Sequence, residues 1–204
     1  HAVADQRDLV VAGPLAQFPD AILDPVGVAV DRPVHRLQVD RSDDVAAAGD
    51  HDLNFYLWGA MGGAAMIGLG LALAQPDRPV LVITGDGEQL MGLGALATIG
   101  AQRPANLGIV VLDNGHYGET GMQRSHTALG VDLIGVAKAC GFAWTETVER
   151  ADQIEHLRMR IARRDGLGFA NVRIAANDPP RVLPSRDGVE IKNRFRRALG
   201  FSTI

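Results

Sequence analysis

Residues 80–115 read VLVITGDGEQLMGLGALATIGAQRPANLGIVVLDNG, and this stretch decides the fold. Residues 80–84 are nearly all apolar and residues 107–112 repeat that texture, as strands buried on both faces do. Gly85-Asp86-Gly87 turns the chain after the first run, residues 88–102 carry a helical pattern, and Arg103-Pro104-Ala105-Asn106 ends it. The second run closes on Asp113-Asn114-Gly115. Two buried strands joined by a helix predict a parallel pair with a right-handed crossover.

The same alternation continues outward. Upstream, residues 54–58 form a short apolar, aromatic segment, and from Gly59 a helical run dense in small residues leads to the break at Gln75-Pro76-Asp77-Arg78-Pro79. Downstream, a loop from His116 to Gly130 precedes a helix capped by Asp132 and running through Cys140. A strand over residues 142–148, an amphipathic helix over 150–164 and a strand over 168–175 follow. The expected fold class is therefore α/β, a three-layer parallel sheet with helices on both faces. Residues 1–50 are an atypical, loop-rich segment in which only residues 8–12 look like a strand, because Pro14, Pro19, Pro25 and Pro33 interrupt the rest. Residues 51–180 form the main domain, and 181–204 are a basic extension with room for a short helix.

Composition narrows the classes. The chain has 204 residues, 47% of them apolar and 22% charged, with 24 glycines. That is one globular domain, not a disordered chain or a coiled coil. The net charge of −4 argues against nucleic acid as a partner. Charge is uneven: residues 1–50 hold nine Asp and four Arg, whereas residues 181–204 hold six basic and two acidic residues. The longest apolar run, residues 60–74, is too short and too glycine-rich for a bilayer span. No signal sequence opens the chain, so no membrane association and a cytoplasmic location are expected. The one cysteine, Cys140, sits among apolar neighbours and reads as a small buried hydrophobe.

In open parallel sheets ligands gather at the carboxyl ends of the strands, which places residues 85–88 and 113–116 at a common edge. Asp86 stands between two glycines just before a helix, and Asn114 follows it by 28 residues. A carboxylate, an amide oxygen and a nearby backbone carbonyl suit a hard divalent cation that keeps positions open for water and phosphate oxygens. Mg²⁺ bridging to a diphosphate matches that chemistry. The competing reading is a plain helix cap at Asp86 and a left-handed turn at Asn114.

Gly85-Asp86-Gly87, followed at this distance by an apolar strand and Asp113-Asn114, resembles the motif of thiamine diphosphate-dependent enzymes. Gly59-Ala60-Met61-Gly62 resembles the loop on which that cofactor's rings rest, and Asn114 to Gln123 resembles the post-motif loop of the sulfopyruvate and phosphonopyruvate decarboxylases. The resemblance covers about residues 51–175. It implies that Asp86, Asn114 and the His116 carbonyl hold Mg²⁺, and that Gly87 and Glu88 offer backbone N–H groups to the diphosphate. Gly85, Tyr117 and Gly118 complete the cradle; Gly59, Ala60 and Met61 carry the rings, with Met61 as the apolar wedge.

The resemblance further implies a partner. In this class a glutamate from a pyrimidine-binding domain activates the cofactor, and the chain has no room for that domain. A hetero-oligomer with a pyrimidine-domain subunit, itself also self-associating, is therefore expected, acting on a small 2-oxo acid. His116 is a candidate proton carrier, and Gln123, Arg124 and His126 are candidates to meet the substrate; a surface-loop role competes for each. A carboligase of the acetolactate synthase type and a non-catalytic assembly subunit are the alternative functions. Gly92-Leu93-Gly94-Ala95-Leu96-Ala97 fits a dinucleotide fingerprint in letters only, since it falls inside the expected helix.

Overall fold

The structure, a computed structural model, describes residues 35–39 (backbone only), 50–176 and 183–203. Its centre is a six-stranded parallel sheet. In chain order the strands are β1 (His35–Val39), β2 (Asn54–Leu57), β3 (Val80–Gly85), β4 (Leu107–Asp113), β7 (Trp144–Val148) and β8 (Gly168–Arg173). They lie side by side as β2-β1-β3-β4-β8-β7. A separate two-stranded antiparallel ribbon, β5 (His116–Tyr117) with β6 (Gln123–Arg124), stands beyond the end of β4. The α/β class and the parallel sheet are as the sequence led one to expect.

Alternation along the strands builds two cores. Val80 and Val82 of β3 and Leu107, Ile109 and Val111 of β4 face one layer, made of α1 (Ala64–Ala74), α3 (Ala95–Gln102) and α4 (Leu133–Ala139). Leu81, Ile83, Val110 and Leu112 face the other, where α5 (Ile154–Arg163) and α6 (Gly188–Ala198) pack. Close approach sets the first layer's spacing: a Cβ on Gly68 of α1 would lie 2.3 Å from Val82 Cγ2. Buried Asn106 ties the loops, its Nδ2 reaching the carbonyls of Ala72, Gln75 and Arg78 at 3.1, 2.9 and 2.8 Å.

Several local expectations shift. The helix expected over residues 88–102 is two helices, α2 (Asp86–Met91) and α3, broken at Gly92-Leu93-Gly94. The break brings Gly92 against Gly62, and a Cβ on Gly92 would sit 2.4 Å from the Gly62 carbonyl oxygen. The helical run expected from Gly59 begins only at Ala64, because Gly59 and Gly62 take positive φ values of 67° and 83° in the preceding loop. Asp132 sits at the start of α4 but makes no side-chain cap. Cys140, expected to be buried, is partly exposed at the end of α4.

The largest difference is β1, which lies inside the sheet between β2 and β3, paired through residues such as Leu37 with Phe55 and with Val82. Five residues with two apolar ones behind Pro33 are too short a signal to read locally. The strand expected at residues 8–12 lies outside the described residues, as does the boundary at 177–180.

The C-terminal segment belongs to the second core. Ile191 and Phe195 of α6 are buried, and Phe195 meets Phe55 edge to face at 5.4 Å. Arg194 holds this helix in place: its Nη1 donates to Asp50 Oδ2 at 2.5 Å and its Nη2 to the Asn54 carbonyl at 3.2 Å. Burial alone would raise the Asp50 carboxyl, but hydrogen bonds from Arg194 and Tyr56 outweigh it and hold the group below its ordinary value.

Candidate functional site

Strands β3 and β4 run parallel with Gly85 level with Leu112, so the residues that follow them emerge at one edge. Asp86 opens α2 and is buried. Its Oδ2 accepts from the Ser125 hydroxyl and from Thr127 Oγ1 at 3.0 Å. Thr127 Oγ1 also reaches Asp113 Oδ1 at 2.8 Å, so one hydroxyl bridges two carboxylates. Burial pushes the Asp86 carboxyl above its ordinary range and the Asp113 charge adds to it, while the two hydroxyls pull the other way. Asp113 is fully enclosed, accepting from Gly115 N at 3.0 Å, Asn171 Nδ2 at 2.9 Å and Arg173 Nη1 at 2.6 Å.

Asn114 Oδ1 accepts from the His116 N–H at 2.9 Å, and the left-handed residue of this turn is Gly115 at φ 69°, not Asn114 as the plainer reading of the sequence had it. His116 Nδ1 lies 2.8 Å from the Asn114 carbonyl. A carbonyl only accepts, so Nδ1 carries the proton and Nε2 of the neutral ring is left as an acceptor. The Tyr117 ring covers Gly87, whose added Cβ would stand 2.7 Å from Tyr117 Cδ1; that contact requires glycine there. Tyr117 Oη pairs with His126 Nδ1 at 2.8 Å, with the two rings edge to face.

The ribbon gathers the remaining candidates. His116 pairs with Arg124 and Tyr117 with Gln123 across it, and Gly118 opens the short 3₁₀ turn that follows β5. Gln123, Arg124 and His126 are exposed. Gln123 Nε2 donates to the Thr120 carbonyl at 2.9 Å and an Arg124 Nη to the Ala128 carbonyl, so both side chains brace the loop that carries them. Gly59 and Ala60 lead to Met61, which is 38% exposed. The dinucleotide-like run at Gly92 spans the break between two helices and follows no strand, which excludes that role.

Three residues went unread in the sequence. Ser125 and Thr127 flank His126 between β6 and the 3₁₀ turn that begins at Thr127, and both hydroxyls reach Asp86 Oδ2. Asp113 was part of the motif but had no role until its four donors were seen. Among the described residues no three His, Cys, Asp or Glu side chains stand together. The oxygens available to a cation are instead of mixed kind: one carboxylate, one amide and backbone carbonyls. They fit a cation on charge, because Asp86 feels the neighbouring Asp113 charge while the Arg173 guanidinium pairs with Asp113.

An acidic, oxygen-lined edge at the carboxyl ends of two parallel strands, beside a glycine-walled loop, defines a cofactor-binding α/β domain. Residues 45–172 match the family described as the thiamine pyrophosphate enzyme, C-terminal TPP binding domain, and the chain belongs to that family. It is related to the sulfopyruvate and phosphonopyruvate decarboxylases. It is 43% identical over 166 residues to the sulfopyruvate decarboxylase subunit beta of Methanococcus maripaludis, covering 78% of this chain and 84% of that one. It is 40% identical over 170 residues to the phosphonopyruvate decarboxylase of Streptomyces viridochromogenes, covering 76% of this chain but only 39% of the relative's length. The chain thus spans about two fifths of that longer protein. In fold it is similar to a 2-oxoglutarate:ferredoxin oxidoreductase from Magnetococcus marinus, with TM-score 0.61 at 18% identity over 87% of this chain and 71% of that one. No helix among the described residues is long and apolar enough to cross a membrane.

Proposed function

We propose that the chain is the diphosphate-binding subunit of a heteromeric, thiamine diphosphate- and Mg²⁺-dependent 2-oxo acid decarboxylase of the sulfopyruvate or phosphonopyruvate type. The observation that carries this reading is the Asp86–Thr127–Asp113 cluster beside Asn114, an excess of negative charge among oxygen donors at the ligand-binding edge of the sheet. The near full-length match to a beta subunit supports a two-chain enzyme, with the activating glutamate on a pyrimidine-domain partner.

In this reading Asp86, Asn114 and the His116 carbonyl hold Mg²⁺, and the backbone of Gly85, Gly87, Glu88, Tyr117 and Gly118 surrounds the diphosphate. Gly59, Ala60 and Met61 carry the rings. When bound, the cofactor supplies the electron sink that decarboxylation of a 2-oxo acid requires. The chain's own work is to bind, orient and exclude water. Ser125 and Thr127 aim Asp86, Tyr117 closes the space over Gly87, and His116 holds or takes up a proton at Nε2. Arg124, with Gln123 and His126 beside it, gives the exposed ribbon a positive charge suited to an acidic head group.

Calorimetric titration of the full chain with thiamine diphosphate and MgCl₂, with the partner subunit present, tests this. Binding that is lost in Asp86→Ala is expected. Equal binding by Asp86→Ala and the parent, or none by either, would overturn the proposal. Product analysis with 2-oxo acids then separates release of an aldehyde from carboligation, and turnover separates an enzyme from an assembly subunit.

A further inference from the structure

Glu88 is 1% exposed, and its carboxylate leaves its own helix to reach the opposite loop. Oε1 accepts from the Ala64 N–H at 3.1 Å, and the amides of Gly62 and Gly63 lie near the carboxylate, the Gly63 N–H donating to the Ala60 carbonyl at 3.0 Å. Oε2 accepts from the Thr84 hydroxyl on β3. Glu88 thereby ties the first residue of α1 to the end of β3 through its two carboxylate oxygens. Glu88 and Gly92 lie four residues apart and share one face of α2, so the loop ending at Gly63 is held twice along that face. Glu88 draws it in by hydrogen bonds, and Gly92 admits it by lacking a side chain.

This loop is the one that carries Met61, whereas Asp86 and Gly87 stand immediately before Glu88 on α2. We infer that Glu88 is a positioning residue, a strut of fixed length that sets the separation between the ring-bearing loop, residues 59–63, and the diphosphate-holding residues Asp86 and Gly87. The inference rests on the cofactor assignment made above. A strut of this kind matters for a ligand that touches both ends and is irrelevant to one that touches a single end. Its reach and its two accepting oxygens are together the working property.

The test uses the full chain with its partner subunit and two probes, inorganic diphosphate with MgCl₂ and thiamine diphosphate with MgCl₂. Glu88→Asp keeps the charge and withdraws it by one methylene; Glu88→Gln keeps the length and puts an NH₂ donor where one of the two accepting oxygens stood. Both are expected to weaken thiamine diphosphate about tenfold while leaving inorganic diphosphate within about twofold of the parent. Thr84→Val, which removes the strut's second anchor, shows the same split to a smaller degree. Equal losses for both probes, no loss for either, or tighter inorganic diphosphate in Glu88→Gln would each overturn the strut. A parent that binds neither probe refutes the cofactor assignment itself, whereas a parent that binds both without the split refutes only the role of Glu88.

Discussion

Replacing Gln89 by leucine is expected to stabilise the protein. Gln89 lies between Asp86 and Glu88 around the axis of α2 and is 1% exposed. Among the described residues neither Oε1 nor Nε2 has a hydrogen-bond partner, although Asp86 and Glu88 are hydrogen-bonded on both sides of it. An amide taken out of water without compensation costs about 1–3 kcal/mol. Leucine has a similar volume and no polar atoms, and a shape change of that size costs less than about 1.5 kcal/mol to repack. The balance favours Gln89→Leu by roughly 1–2 kcal/mol, or about 3–6 °C in Tm for a chain of this length. Urea unfolding measures it, with an unchanged m value as the sign that only stability moved. Gln89→Ala serves as the contrast, because it removes the same amide but leaves a cavity. Loss of more than about 1 kcal/mol in the leucine variant would refute the reasoning, since it would mean that the amide is satisfied in solution by an ordered water.

Three further outcomes are expected. Gly92→Ala places a methyl against the Gly62 carbonyl and should cost about 1–3 kcal/mol while displacing the Met61 loop, seen as weaker thiamine diphosphate binding in calorimetry. Thr127→Val deprives the Asp86 and Asp113 carboxylates of their shared hydroxyl, and a loss of about 1–3 kcal/mol in urea unfolding is expected. Arg194→Met removes the cation that helps hold the Asp50 carboxyl below its ordinary value of 3.8. Because the folded pKa is the lower one, the parent's advantage is fully present above that value and disappears as pH falls through the folded pKa. Thermal melts of both proteins from neutral pH to pH 3 read the difference.

The two strands bounding residues 80–115, the turn at Gly85-Asp86-Gly87 and the meeting of residues 85–88 with 113–116 at one edge of the sheet were legible in the chain. Continuous apolar runs punctuated by glycine, proline and asparagine are local signals. Helix boundaries were less so: the break at Gly92 and the late start at Ala64 are two sides of one contact between segments thirty residues apart, and no window of sequence contains both. The strand β1 is similar, because a five-residue segment with little apolar character is held by neighbours on both sides.

By itself the sequence determined which atoms were available at the site: one carboxylate between glycines, an asparagine after the next strand, and a run of small residues upstream. Tertiary structure decided what those atoms do. Only folding brings Ser125 and Thr127, some forty residues on, to Asp86, places Asn171 and Arg173 under Asp113, and turns Glu88 away from solvent into the backbone of a different helix. Hydrogen bonds between segments far apart in the chain depend on where the sheet and helices carry their ends. That placement is a property of the packed whole, whereas the donors and acceptors themselves are written residue by residue.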